Sequence, residues 1–191
     1  MAEAMIRGLL DQNIITADQI IAADPWQARL KYLHERHGVH TTGDNTEAAE
    51  EGQVVVFSIK PQNLAEVMPS VRGHLRRQDL VLSIIAGAPI RKLADGVAHA
   101  SVVRAMPNTP AQIGQGITVW TATPEVSELH RQQTQAILGS LGQEIFVDDE
   151  RYLDMATALS GSGPGYVFMM MEAMIDAGVH MGFSRRIATD L

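Results

Sequence analysis

The sequence predicts an α/β fold, a mostly parallel sheet interleaved with helices, followed by a segment that is helical only. Three observations carry that reading. Val54–Ile59 and Leu80–Ile85 are each apolar at every position except one serine, as suits strands buried on both faces of a parallel sheet. Helical stretches separate these from several shorter strand-like runs, the alternation that builds a right-handed parallel sheet. From Arg151 onward the strand pattern stops.

The elements follow in order. Met1–Leu10 is already helical in pattern, with Met1, Met5 and Leu9 at fourfold spacing and neither a cap residue nor a strand before them. Ile20–Ala23 reads as a short strand. Asp24 then reads as an N-cap with Pro25 at the first helical position, and Gly38 as the stop. Trp26, Leu30 and Leu33 mark one face of that helix, and Asn45 can cap a short helix over Thr46–Glu51. Strand Val54–Ile59 ends at Lys60-Pro61, because Pro61 has no amide to donate and holds Lys60 extended. Leu64, Val67, Val71 and Leu75 line the next helix, and Ala86-Gly87 closes strand Leu80–Ile85. A short helix near Pro89–Leu93 leads to strand Ser101–Arg104. The loop Met106-Pro107-Asn108-Thr109-Pro110 and strand Ile117–Thr121 come next. Helix Pro124–Leu141 presents Val126, Leu129, Ile137 and Leu141, and Glu144–Val147 is a last strand. A helix over Arg151–Leu159, the run Ser160–Gly165, a Met-rich helix Tyr166–Met181 and a helix capped by Ser184 complete the chain. The change of pattern puts a boundary near residues 148–152, dividing the chain into domains 1–150 and 151–191.

Charge and composition narrow the function. A formal net charge of −7 argues against nucleic acid or an anionic membrane as partner, so any anion site must be locally basic. The chain has no cysteine, hence no disulfide, no thiolate nucleophile and no Cys-based metal site. No apolar run reaches the roughly 18 residues of a spanning helix, and the amino terminus lacks the layout of a secretory signal. A soluble cytoplasmic protein is the expectation.

Several residues could carry chemistry. Ser58 and Lys60 stand at the carboxyl end of a central strand, where open α/β sheets bind ligands; a hydroxyl and a cation there suit a ribose or a phosphate. Asp24 follows a strand. In a Rossmann unit an acid at that place bonds the adenosine ribose hydroxyls, while as a plain helix cap it needs no ligand. Such an acid disfavours a 2′-phosphate, although Arg29 and Lys31 could offset it. The Met106–Pro110 loop, stiffened by two prolines, is either a ligand-site loop or a tight structural turn. Ser160–Gly165 offers an anion cradle before a helix or an interhelical turn. A serine-nucleophile elbow is not expected, because it requires a preceding strand and a helix is expected here. His34, His37 and His40 have no converging carboxylates, and no metal site is expected. The Met169–Met171 and Met174 stripe reads as core or subunit contact, and Glu172 and Asp176 as a solvated face without a partnering cation.

Taken in order, MAEAMIRGLL at the start, Asn45, Ser58-Ile59-Lys60-Pro61, Ser83-Ile84-Ile85-Ala86-Gly87, Val103–Pro110 and Ala158–Tyr166 resemble the pyrroline-5-carboxylate reductases. Each piece alone is weak, and together they span essentially the whole chain. The resemblance implies an amino-terminal Rossmann domain and the start of an all-α dimerisation domain that interlocks with a second subunit, making a homo-oligomer. It implies reduction of 1-pyrroline-5-carboxylate to L-proline, the last step of proline biosynthesis, by hydride from NADPH or NADH. It places Asp24 and Pro25 beside the adenosine ribose and Asn45 on the adenine-ribose side. Ser58, Ile59, Lys60 and Pro61, with Ile84, Ile85 and Ala86, would line the dinucleotide crevice, and Asn108 would sit near the nicotinamide. It singles out no catalytic acid, base or nucleophile.

In that family a first strand and its Gly-rich turn come immediately before the segment matching Met1–Ala4, and further helices with a substrate loop follow the segment matching Leu191. The chain is therefore expected to be a fragment, with a sheet lacking its first strand and most imine-binding groups outside it. Two other readings stand beside this one. A β-hydroxyacid-type dehydrogenase fits the Ser-Gly-Ser-Gly-Pro and Met-Pro-Asn-Thr-Pro pieces less well. A nucleotide-binding or subunit-interaction module without catalysis fits the shortened ends.

Overall fold

The structure, a computed structural model, describes residues 1–191. Its strands form two ladders. β1 (Ile21–Ala23) and β2 (His40–Thr42) pair in parallel. The larger sheet runs β3 (Val54–Phe57), β4 (Leu80–Ser83), β5 (Val102–Met106), β6 (Gly116–Ala122) and β7 (Gly142–Phe146) in that spatial order. No ladder joins β2 or β1 to β3, so β3 is paired on one edge only. Sequence pattern missed β2, which is three residues long and mostly polar.

Strand β4 shows why the continuous apolar runs are strands. Its four residues are all fully buried, and they alternate between two cores. Leu80 and Leu82 pack with Val103, Ala105, Trp120, Leu138 and Leu141, together with Ala4 and Met5 of α1 (Ala2–Asp11). Val81 packs the other way, with Leu64 and Val71 of α4 (Leu64–Val71), Leu93 and Val97 of α5 (Ile90–Val97), Phe57, Ile85 and Val102. Helices α1 and α6 (Glu128–Gly139) thus cover one face, and α4 and α5 the other. Each fully buried Leu or Val in such a core contributes on the order of 1.5–3 kcal/mol.

β5 and β6 run antiparallel, an exception within the otherwise parallel sheet. The nine residues 107–115 between them hold only a short 3₁₀ turn, Thr109–Ile113, too little for the crossover that parallel strands require. β7 returns parallel to β6 through α6, and Gly142 at its start lies so close to Gly116 that a Cβ would meet the Gly116 carbonyl oxygen at 2.2 Å.

Helix positions differ in detail from the sequence reading. α2 spans Gln27–His37, so Asp24 and Pro25 precede it by a turn; Trp26 is the flanking residue, and Asp24 Oδ1 accepts from its amide (2.9 Å). α3 (Asn45–Glu51) is capped by Asp44, whose Oδ1 accepts from Thr46 N (2.8 Å), so Asn45 is inside the helix rather than its cap. In α6, Leu129 is exposed and Leu138 fills the core. Beyond β7 come α7 (Arg151–Ala156), one π-helical turn over Thr157–Gly161, and α8 (Gly163–His180). Ser160 and Gly161 therefore end the π turn, Ser162 is the turn residue between it and α8, and Gly163–Gly165 open α8, so the run is an interhelical joint, the second of its two readings. α9 (Arg185–Asp190) is capped by Ser184, as read. Asp176, read as unpartnered, pairs with Arg185. α8 buries none of its residues; Tyr166, Phe168, Met169, Met170, Met171 and Met174 all face solvent.

Glu3 ties α1 to α2. Its carboxylate accepts from Arg29 Nη2 (2.8 Å) and Tyr32 Oη (3.0 Å), and lies 3.3 Å from His37 Nε2. Chiefly through Arg29, against some burial and with help from His37 and Tyr32, its pKa falls from 4.5 to about 2. A lowered carboxylate stabilises the fold above its unfolded pKa, and that contribution fades as pH falls toward the folded value. Since the Glu3 side chain is 33% exposed, screening reduces the effect to about 1–2 kcal/mol. Glu3→Gln is expected to lower the unfolding free energy by that amount near neutrality, with the gap closing as pH falls from about 5 to about 2. Urea melts across this range measure it; a gap that stays constant would assign the loss to packing instead.

Candidate functional site

The site grows out of strand register. β3, β4 and β5 are parallel, with Phe57 opposite Ser83 and Ser83 opposite Arg104. Their chain exits therefore leave the same edge of the sheet: Ser58–Lys60 after β3, Ile84–Gly87 after β4, Pro107–Asn108 after β5. β1, β2 and β3 are linked in turn by the single helices α2 and α3, a connection that returns the chain to run in the same direction. Asp24 and Gly43-Asp44 thus leave the corresponding ends of β1 and β2, and Asp24 N donates to Thr42 O (3.3 Å).

This edge is rich in unspent donors. The amides of Ser58, Ile59, Lys60, Ala86 and Gly87 make no hydrogen bond within the protein. Lys60 is exposed and its ammonium pairs with no carboxylate. Gly87 adopts φ +68°, and a Cβ placed on it would meet nothing within 4 Å. Amides turned outward beside a free cation suit an anionic group such as a dinucleotide's diphosphate, and Asp24 suits ribose hydroxyls. The residues fit such a cofactor.

The predicted residues do not all present side chains to this edge. Asp24, Ser58, Ile59 and Ile84 are half-buried, and Pro25, Lys60, Pro61 and Ala86 are exposed. Ile85 is not a lining side chain: it is 1% exposed within the core of α4 and α5, and only its backbone borders the exits. Asn108 is tied on both sides, its Oδ1 accepting from Ile117 N (3.0 Å) and its Nδ2 donating to Ser160 O (3.2 Å). Each amide atom keeps one further bonding position, but the residue is first a strut between the β5 exit and the π turn. The histidines disperse: His34 Nδ1 bonds the Val39 carbonyl and His37 faces Glu3.

Sequence reading gave no role to Arg104. This guanidinium is 5% exposed, and its two arms donate to Glu150 (2.7 Å) and Asp154 (2.8 Å) at the start of α7. Glu150 also accepts from Ile90 N (2.7 Å), the first amide of α5. Arg104 and Asn108 together clamp the helical segment onto the carboxyl end of β5. A charge inside the apolar strand Val102–Met106 was the signal available in the sequence.

Comparison with known proteins settles the family. Over its full length the chain is 38% identical to the pyrroline-5-carboxylate reductase of Synechocystis sp., and it spans 71% of that protein. The chain belongs to the pyrroline-5-carboxylate reductase family. Residues 150–191 match the family model for pyrroline-5-carboxylate reductase dimerisation, and residues 1–87 match the model described as NADP oxidoreductase, coenzyme F420-dependent. Among solved structures, the Coxiella burnetii reductase superposes with a TM-score of 0.89 at 30% identity, covering 98% of this chain and 70% of that one. The Plasmodium falciparum pyrroline carboxylate reductase, solved with NADP bound, gives 0.85 at 28% identity over 98% of this chain and 69% of its own. The Rossmann-like sheet with its helical continuation is therefore the fold of the reductases. No helix is long and apolar enough to cross a membrane.

The clamp has a measurable consequence. Arg104→Met leaves Glu150 and Asp154 without their cation and, since these carboxylates are partly or largely exposed, is expected to cost about 2 kcal/mol of stability. Asn108→Ala, which strips one bond from Ile117 N and one from Ser160 O, should cost about 1–2 kcal/mol. In both variants, amide exchange should rise most across residues 150–161; exchange that rises evenly through the chain would show that these side chains do not hold the joint.

Proposed function

We propose that this chain is a reductase of 1-pyrroline-5-carboxylate, forming L-proline with NADPH or NADH in the final step of proline biosynthesis. The observation that carries the reading is the 38% identity, across every residue of the chain, to a protein named for that reaction. The free donors at the carboxyl edge of β3 and β4 support it on independent physical grounds.

When bound, the nicotinamide cofactor supplies the hydride. The chain's own contribution is placement. In this reading Ser58, Ile59, Lys60 and Pro61, with the backbone of Ile84, Ile85 and Ala86, hold the diphosphate and adjoining ribose. Asp24, Pro25 and Asn45 border the adenosine, and the β5 exit at Asn108 borders the reacting end. Fixing donor and acceptor carbons in one geometry accounts for much of the barrier in such transfers, so the rigidity of the clamped β5 exit is itself part of the function. Residues 1–150 act as the dinucleotide domain, and 151–191 open the helical domain. The unburied apolar surface of α8 is read as the face of a homo-oligomer, since an isolated helix of this composition exposes far more apolar area than a monomer sustains. Cytoplasmic residence follows from the same reading.

The direct test is oxidation of NADH or NADPH at 340 nm wavelength with pyrroline-5-carboxylate as the limiting reagent, with proline identified as product. Dinucleotide binding without turnover would favour a binding or subunit-interaction module instead. Lys60→Ala is expected to weaken dinucleotide binding about tenfold, with a smaller penalty as ionic strength rises. Sedimentation should show self-association, abolished by Phe168→Asp; a parent chain monomeric at all concentrations would remove the oligomer from this account.

A further inference from the structure

Resting on the dinucleotide reading above, we infer that Asp24 makes this protein selective for NADH over NADPH, because the cation nearest to it along the chain, Arg29, is already paired and the strand exits around it are acidic. The sequence left the question open: Asp24 opposes a 2′-phosphate, while Arg29 and Lys31 stood close enough along the chain to offset it.

The structure weakens the offset. Arg29 is engaged by α1, where its Nη2 donates to Glu3 Oε2 at 2.8 Å, and its guanidinium lies 5.2 Å from the centre of the Tyr32 ring. Lys31 lies a further half turn along α2, which starts at the Asp24 end and leads away from it, and its nearest carboxylate partner is Glu35 at 3.7 Å. His37 faces Glu3 as well. What remains at the exits of β1 and β2 is acidic. Asp24 presents its second carboxylate oxygen while Oδ1 accepts from Trp26 N. Asp44, two residues past Thr42, caps α3, and Glu47 accepts from the Thr42 hydroxyl. The Asp24 amide donates to the Thr42 carbonyl, so the two exits are neighbours.

The chemistry discriminates. A ribose with both hydroxyls offers donors to a carboxylate, and an Asp or Glu at the end of this strand is the recognised partner of an unphosphorylated ribose. A 2′-phosphate replaces a donor with about two negative charges, and it must then sit against Asp24 and near Asp44 while the Arg29 guanidinium is held by Glu3. Both the lost hydrogen bond and the like-charge contact act against NADPH.

The test is equilibrium binding, read from the fluorescence of the reduced nicotinamide and independent of turnover. The parent chain is expected to bind NADH at least about tenfold more tightly than NADPH. Asp24→Asn keeps the acceptor for Trp26 N while removing the charge, and should bring the two affinities within about threefold, chiefly by improving NADPH. Asp24→Ser serves as a second variant with a hydroxyl acceptor and should behave alike. Equal or tighter binding of NADPH by the parent overturns the inference, and so does a preference for NADH that both variants retain. Binding of neither dinucleotide overturns the cofactor reading itself and the selectivity with it, an outcome distinct from wrong selectivity.

Discussion

Everything at the ligand edge depends on the register of one buried strand. β4 is covered on both faces, so alternation of apolar and polar residues cannot fix its pairing as it does in a half-buried strand. Its polar ends fix it. Asp79, immediately before the strand, is fully buried and satisfied by Arg76, accepting from that residue's amide (2.7 Å) and from its Nε (3.1 Å). Ser83, at the other end and equally buried, accepts from Ile85 N (3.3 Å). Those bonds are local and hold the ends in shape. The ties to the neighbouring strands are Arg76 Nη2, which donates to Gly52 O (3.1 Å) just before β3, and the Asp79 carbonyl, bonded by the His99 ring (2.7 Å) just before β5. A slip by one residue would break both, at roughly 1–3 kcal/mol each. The register so pinned brings Ser58–Lys60 and Ile84–Gly87 out side by side.

The apolar runs were legible because burial on two faces leaves an unmistakable composition. The helices over residues 27–37, 64–71 and 185–190, the strand exits and the change at residue 151 were legible for similar reasons. What escaped the sequence was decided by contacts made across the fold. β2 is held by pairing with β1 rather than by its own Thr-rich composition. Leu129 fits the helical periodicity of α6, yet the helix is rotated so that Leu138 takes the core. Ser160–Gly165 is legible as the joint between two helices, but not the π turn that enters it, where three hydroxyls, on Thr157, Ser160 and Ser162, bond back to carbonyls at Leu153, Ala156 and Thr157. The resemblance places Asn108 near the nicotinamide, and nothing local in the sequence shows that it is also a strut. The groups that engage it come from residues 117 and 160, distances in sequence that no local pattern reports.

Arg104 and Asn108 explain how two kinds of architecture share one site. The sheet is rigid by burial, whereas α7 and the π turn have little core of their own: Leu153 and Ala156 are the buried residues there. A short helix with so small an apolar contact is oriented by directional bonds or not at all. Two bonds from one guanidinium within β5 and one from an amide just past its end, four residues on, fix both the position and the rotation of the joint. π turns recur where a helix must aim its far side at a functional location, and this one aims α8 outward with its methionines uncovered.

The two edges of the sheet use their polar side chains differently. At the amino edge side chains tie neighbouring segments together, although the amides of Gln53, Arg77, Gln78, Ala100 and Ser101 bond nothing within the protein. His99 bonds the Asp79 carbonyl (2.7 Å), Ser101 the His130 ring (3.2 Å) and Thr123 the Ala100 carbonyl (2.6 Å), while Arg76 reaches Gly52 O (3.1 Å). Arg72 covers the last carbonyls of α5 at Asp95 and Gly96. At the carboxyl edge the amides of Ser58, Ile59 and Lys60 after β3 and of Ala86 and Gly87 after β4 are open beside the Lys60 ammonium, and no side chain ties these two exits together. Open donors grouped at the carboxyl ends of adjacent parallel strands are available to an anionic group there, the same place to which the pyrroline-5-carboxylate reductases point.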